Sequence, residues 1–146
     1  MSHVSKINLF VSDLDAFGAE CSERGCVLER GPDRFRYYRN KTKPCGAKVR
    51  VPGADYEIGL VRARVGPEGV IEDPDGDGWM PLLDHYDDGG GMFAVLGEGC
   101  RDLFRGYTDR VTRAWAESEG YDVEREELGG GEYRLVLEER QICQQF

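Results

Sequence analysis

Turns bearing glycine and proline cut this chain so often that few stretches between them can hold a long helix. That punctuation limits the fold more than any other feature of the sequence. Lys6 to Val11 opens with Ile7, Leu9 and Val11 in alternation, which predicts a strand. Cys26–Arg30, Arg34–Arg39 and Ala47–Val51 read as further strands, broken at Gly31-Pro32-Asp33 and at Lys43-Pro44-Cys45-Gly46. Tyr56–Val65 is the clearest strand, and Gly66-Pro67-Glu68-Gly69 turns it back into Val70-Ile71-Glu72. Asp73 to Gly91 reads as a long acidic, glycine-rich loop, followed by a short strand at Met92–Leu96. The chain closes on a hairpin, Tyr121–Glu127 and Tyr133–Glu139, about Gly129-Gly130-Gly131.

Two stretches escape the punctuation. Ser12 offers an N-cap to a helix over about 13–24, with Leu14, Phe17, Gly18 and Cys21 at helical spacing and Gly25 as a stop. A second helix places Leu103, Phe104, Tyr107, Val111, Ala114, Trp115 and Ser118 on one stripe, ending at Gly120. The expected architecture is therefore α+β: a mainly antiparallel sheet with two helices packed on one face. Each helix ends in a glycine and a strand of similar pattern, at Gly25 and at Gly120. That parallel fits either two β-α-β-type halves or the ordinary chemistry of helix-to-strand junctions. A single domain over 1–140 with a polar C-terminal tail, 141–146, is expected at this length.

Composition narrows the class. At 40% apolar residues the chain can bury a core, and no apolar run approaches a membrane span. Met1 to Lys6 lacks the pattern of a secretion signal, and five cysteines without a CxxC pair suit free thiols, so the cytoplasm is the expected location. A net charge of −9 disfavours a protein that coats duplex nucleic acid over its whole surface.

Three separated stretches carry a family likeness: Met1-Ser2-His3-Val4-Ser5-Lys6-Ile7, Asp55-Tyr56-Glu57-Ile58-Gly59-Leu60-Val61, and Gly120-Tyr121-Asp122-Val123 with Arg134-Leu135-Val136-Leu137. In these the chain resembles the family known as domain of unknown function 1257, whose best-known member is a hypothetical chloroplast reading frame. The resemblance implies relatives in cyanobacteria, other bacteria and phages, and a neighbouring AAA-type ATPase as a partner. It brings no catalytic residues, and the acidic stretch 73–91 departs from its pattern.

Charge is distributed unevenly. Residues 30–50 hold eight bases and one acid, net +7, which leaves −16 on the rest of the chain. Within that segment Arg34, Arg36, Tyr37, Tyr38, Arg39, Lys41 and Lys43 are the candidate ligand-binding residues, since guanidinium forks grip phosphate and aromatic rings stack on bases. Extended geometry puts Arg34, Arg36 and Tyr38 on one face and Phe35, Tyr37 and Arg39 on the other. The plainer alternative is a surface hairpin whose arginines pair with the protein's own acids.

Asp73, Asp75, Asp77 and Asp84 are the candidate metal ligands. They fall at places 1, 3, 5 and 12 of an EF-hand count with Gly78 at place 6, which would suit Ca2+. Asp84 in place of glutamate, Pro81 inside the loop and strand-like flanks count against it, and the composition is also that of a turn. Gly97-Glu98-Gly99 before the second helix is a weaker phosphate candidate, with Glu98 opposing an anion. His85 and His3 are the only histidines, and no catalytic signature accompanies either.

The expected function is therefore non-enzymatic: capture of an anionic ligand, foremost a nucleotide or nucleotide-like signal, with sequestration as a role in a phage. The alternatives are an adaptor for a protein partner such as the AAA-type ATPase, and a divalent-cation protein or enzyme centred on 73–88. No cofactor other than Ca2+ is implied, no membrane partner is expected, and exposed strand edges suit a homo-oligomer.

Overall fold

The computed structural model describes residues 4–130 and 132–140, so the expected tail at 141–146, His3 and Cys143 lie outside the described residues. The protein is α+β. Its chain divides into two compact units, residues 1–107 and 108–146.

The first unit is built on a six-stranded antiparallel sheet. Its strands are β1 (Val4–Lys6), β2 (Val27–Tyr37), β3 (Lys41–Arg50), β4 (Glu57–Gly66), β5 (Gly69–Glu72) and β6 (Gly78–Asp84). The order across the sheet is β1-β6-β4-β3-β2, with β5 paired to β4. Helix α1 (Leu14–Glu23) lies between β1 and β2 in sequence; Asp13 caps it, not Ser12, its carboxylate accepting from the Ala16 N–H at 3.0 Å. Two single turns follow β6, α2 (Tyr86–Gly90) and α3 (Met92–Leu96), and then the long helix α4 (Arg101–Ser118) begins.

The predicted first strand, 6–11, is interrupted for a reason that lies in its neighbour. Lys6 pairs with Leu82, so Ile7 faces Pro81. The Ile7 N–H donates to the Pro81 carbonyl at 2.9 Å, but Pro81 has no N–H to return the bond. The Ile7 carbonyl accepts instead from Leu9 N–H at 2.8 Å, so the chain turns out of the ladder there. It rejoins at Val11, which exchanges both backbone bonds with Trp79.

Neither expected break in residues 26–51 is a break. Between Arg30 and Asp33 the ladder to β3 shifts register by one residue, so Gly31 and Pro32 form a bulge inside a continuous β2. Pro44 stays within β3 because β3 pairs with β4 only over Ala47–Arg50; farther out β2 is its one ladder partner. The acidic loop expected over 73–91 is likewise largely structured. Asp73 to Asp77 is a turn, and Gly78–Asp84 is a strand with Met80, Leu82, Leu83 and Asp84 buried. Met92–Leu96 is helical, not extended.

The distal half of the β2–β3 hairpin folds over the sheet. Phe35, fully buried, lies on Gly59 of β4, where a Cβ would overlap its ring. Phe35, Tyr37 and Cys45 form one core cluster with Ala63, Met80 and Leu82. Elsewhere in this unit Phe17 of α1 meets Tyr107 edge-to-face, ring centroids 5.6 Å apart and both buried; the Tyr107 hydroxyl accepts from the N–H groups of Ser12 and Asp13, at 3.0 and 3.2 Å. Cys21, Cys26, Cys45 and Cys100 are buried and free, and burial pushes the Cys21 and Cys100 thiols up to about 12.

The second unit carries the rest of α4 and the hairpin β7 (Tyr121–Gly129) and β8 (Glu132–Glu139), paired antiparallel with Val123 opposite Leu137. The helical stripe does not continue into it as predicted: Ala116 is buried, while Trp115 is 54% exposed and stacks on Tyr121 with ring centroids 6.1 Å apart. Trp115→Ala is therefore expected to cost only about 1 kcal/mol, the value of a surface aromatic pair. A loss of 3 kcal/mol or more in urea unfolding would show that the indole is a core group after all.

Candidate functional site

The eight bases between residues 30 and 50 separate into two groups. At the base of the hairpin each finds a carboxylate. Arg30 pairs with Asp15, and Arg50 with Glu29 at 3.1 Å. Lys48, on β3, lies 3.3 Å from Asp33, 3.4 Å from Glu57 and 4.0 Å from Glu29. Burial works against the Lys48 charge, but Glu57 and Asp33 outweigh it and its pKa lies above the usual lysine value. The Arg34 N–H and then Lys48 hold the Asp33 carboxyl below its usual range.

Toward the tip no such pairing exists. Among the described residues Arg34, Arg36, Arg39, Lys41 and Lys43 make no ion pair. Arg34 and Arg36 project from the exposed face of β2, as strand alternation predicts. The Arg34 guanidinium is held in place by Thr42 across the ladder, donating to its hydroxyl at 2.8 Å and its carbonyl at 3.1 Å. Lys43 sits over the Tyr37 ring and Arg39 over the Tyr38 ring, at 5.8 and 5.1 Å from the centroids.

Two buried carboxylates fix where the tip lies. Glu57 of β4 accepts from the Arg36 N–H at 2.9 Å, and Asp84 of β6 accepts from the Tyr38 N–H at 3.2 Å. Both are nearly inaccessible to water. They give the distal part of β2 the acceptors that a further strand would otherwise supply. Asp84 also accepts from the Tyr86 N–H at 2.9 Å, and so brings Tyr38 and Tyr86 together edge-to-face at 4.8 Å. The turn between β2 and β3 puts Arg39 and Asn40 in the left-handed region, φ 56° and 58°.

The aromatic candidates divide. Tyr37 is 8% exposed and belongs to the core, so it offers no stacking face. Tyr38 is half-buried and packs against that cluster, off the face of Arg34 and Arg36. Tyr86, in a stretch whose composition is that of a loop, is the exposed ring of the group, at 50%.

The calcium-loop geometry is not formed. Asp73 pairs with Arg64 at 3.0 Å and accepts from the Asp75 N–H at 2.9 Å, closing the turn from β5 to β6. Asp84 stands at the other end of β6, on the order of 20 Å from Asp77 along an extended strand, with its oxygens engaged as described. Among the described residues no three His, Cys, Asp or Glu side chains gather closely enough to hold a metal ion. At Gly97 a Cβ would press on the Asp102 carboxylate, so a second acid faces the weaker phosphate candidate.

Past Tyr86 the backbone does something unusual. Asp87, Asp88, Gly89, Gly90 and Gly91 all have positive φ, from 52° to 99°, making a left-handed turn. Gly90 lies flat against the Tyr56 ring, and its carbonyl accepts from the Asp55 N–H at 2.8 Å. Asp55, Asp87, Asp88 and Glu98 line an open cleft of about 740 Å³ with Phe93. Burial, followed by Asp84 and Asp87, raises the Tyr56 pKa, so its hydroxyl stays protonated. His85 is exposed, with its ring against Phe93.

Among the described residues no helix is long and apolar enough to cross a membrane. Comparison with known proteins finds no matching family model, no matching curated protein and no matching solved structure.

Proposed function

We propose that the protein binds an anionic, phosphate-bearing ligand on the distal β2–β3 hairpin. One observation carries this reading. In a chain of net charge −9, five neighbouring cationic side chains have no carboxylate partner among the described residues, while the three bases below them do. Unpaired like charges repel one another in the free protein, and a bound anion relieves that repulsion. Arg34 is already oriented by Thr42, so it loses little freedom on binding. A nucleotide, free or polymeric, is the ligand class that suits arginines beside an aromatic pair. The reading rests on charge and geometry and assigns no catalytic residue.

Isothermal calorimetry with nucleotides and short oligonucleotides at two salt concentrations tests it. Arg36→Ala is expected to leave the melting temperature unchanged or slightly higher, because the guanidinium has no ion pair to lose. The same change should weaken the anion by about 1.5–3 kcal/mol through lost charge-assisted hydrogen bonds. If wild type binds no member of the panel at low salt, the reading fails.

A further inference from the structure

We infer that the aromatic side of the hairpin tip is an interface between two copies of this chain, related by a two-fold axis, with Arg39 of each copy seated in the acidic cleft of the other. The inference goes beyond the anionic-ligand reading and does not depend on it. Arg34 and Arg36, on the opposite face of β2, take no part.

Two sets of charge lie side by side on the first unit without meeting. On the inner side of the hairpin Lys41 stands across the ladder from Tyr37, Lys43 lies over the Tyr37 ring, and Arg39 lies over Tyr38 at 5.1 Å. Tyr38 meets Tyr86 at 4.8 Å, and Asp87 and Asp88 follow Tyr86 in the chain. Contact therefore runs from a cation through two rings to acids. Beyond them the cleft adds Asp55 and Glu98, and all four acids are exposed. Among the described residues none of these three cations and four acids is in an ion pair. Like charges crowd within each set, and the complement of each lies close by but out of reach.

A two-fold axis closes that gap. In an isologous contact a patch meets itself, so a patch of one sign repels its copy. At net −9 two copies also repel at a distance, and only a face that joins cations to acids can bring them together. With cations on one side of an exposed ring and acids on the other, this patch meets its copy with the signs opposed, twice over. Tyr86, 50% exposed, is that ring, and Asp84 holds its backbone in place before the copies meet. An aromatic centre with a charged rim is the usual anatomy of a specific interface.

The cleft also suits what the tip presents. Arg39, Asn40, Lys41 and Thr42 are exposed in succession at the turn, and the cleft is open, about 740 Å³, with Phe93 beside its acids. A guanidinium entering it meets carboxylates and an aromatic ring together. A partner of another sequence would need both signs in the same rotated order, which a second copy carries by construction.

Sedimentation velocity over a concentration series tests this. Wild type is expected to pass from monomer to dimer as concentration rises. Arg39→Asp, which tolerates the left-handed backbone at this position, sets an acid against the partner's acids and should weaken the dimer by about tenfold or more. Asp55→Lys with Glu98→Lys should weaken it from the other side. Tyr86→Ala should weaken it as well, and Arg36→Ala should leave it unchanged. Mixing the Arg39 variant with the cleft variant is the decisive step. In a mixed pair one junction is native and the other joins the introduced acid to the introduced lysines, so heterodimers should form where neither variant associates with itself. A variant that had failed to fold could not restore association in this way. Monomer at every concentration, a dimer indifferent to Arg39→Asp, or a mixture without heterodimers overturns the inference. Nucleotide calorimetry with Arg36→Ala decides the anionic-ligand reading separately.

Discussion

Phe35→Ala is expected to cost about 3–5 kcal/mol of stability, the largest effect of any single substitution in the hairpin. The ring is fully buried, and β4 approaches it with a glycine. Truncation opens a cavity that the flanking strands cannot close, because both are held in the ladder. The reciprocal change makes the same point from the other side. Gly59→Ala puts a Cβ into the ring and is also expected to destabilise, whereas Gly59→Ala with Phe35→Leu should recover part of the loss. Urea unfolding of the four proteins measures the coupling directly. Strict additivity of the two single changes would show that Phe35 does not rest on Gly59.

Glu57→Ala is expected to lose about 3 kcal/mol. It removes the acceptor for the Arg36 N–H and leaves Lys48, whose side chain is 14% exposed, with only its more peripheral partners. Glu57→Gln keeps an acceptor but not the charge, and about half that loss is expected. Hydrogen exchange supplies the local readout. The Arg36 amide should exchange much faster in Glu57→Ala, and the Tyr38 amide, held by Asp84, should follow it as the tip loosens. Protection at Arg36 equal to wild type would mean that Glu57 does not hold this edge. The same variant should weaken the anionic probes without touching any cationic side chain, since the arginines are useful only where the hairpin presents them.

The parts of the fold that were legible in the sequence are those set by neighbours in the chain. The turn Gly66–Gly69, the closing hairpin and the two long helices follow from spacing within a dozen residues. What stayed hidden depends on distant partners. β6 shows no alternation because most of its residues are buried, and its acidic, glycine-rich flanks made it read as loop. Pro32 and Pro44 read as breaks because the sequence does not say on which side a strand lacks a ladder partner. The early exit of the chain from the β1 ladder is caused by Pro81, more than seventy residues away.

The candidate site divides along the same line. Its cations are visible as composition, and their division into paired and unpaired groups is not, because Asp15 and Glu57 come from other parts of the chain and Glu29 meets Arg50 only across the ladder. Residue type offers Tyr37 as a ligand group, but its alternation with Phe35 places it on the inner face. Nothing in the local sequence marks Tyr86 as an exposed ring, because the contacts that hold it, from Asp84 and Tyr38, form only in the fold.

The left-handed turn at 87–91 bears on how this stretch can vary. An ordinary side chain there costs about 1–2 kcal/mol per position, while aspartate, asparagine and glycine bear the conformation far more easily. Mutational drift is therefore confined to a three-letter alphabet over five successive codons, whatever the adjoining cleft does or does not bind. If the run Asp-Asp-Gly-Gly-Gly persists in any descendant of this sequence, backbone handedness is sufficient cause. Retention here, unlike retention of Arg34 or Arg36 on an exposed strand face, is no sign of contact with a ligand.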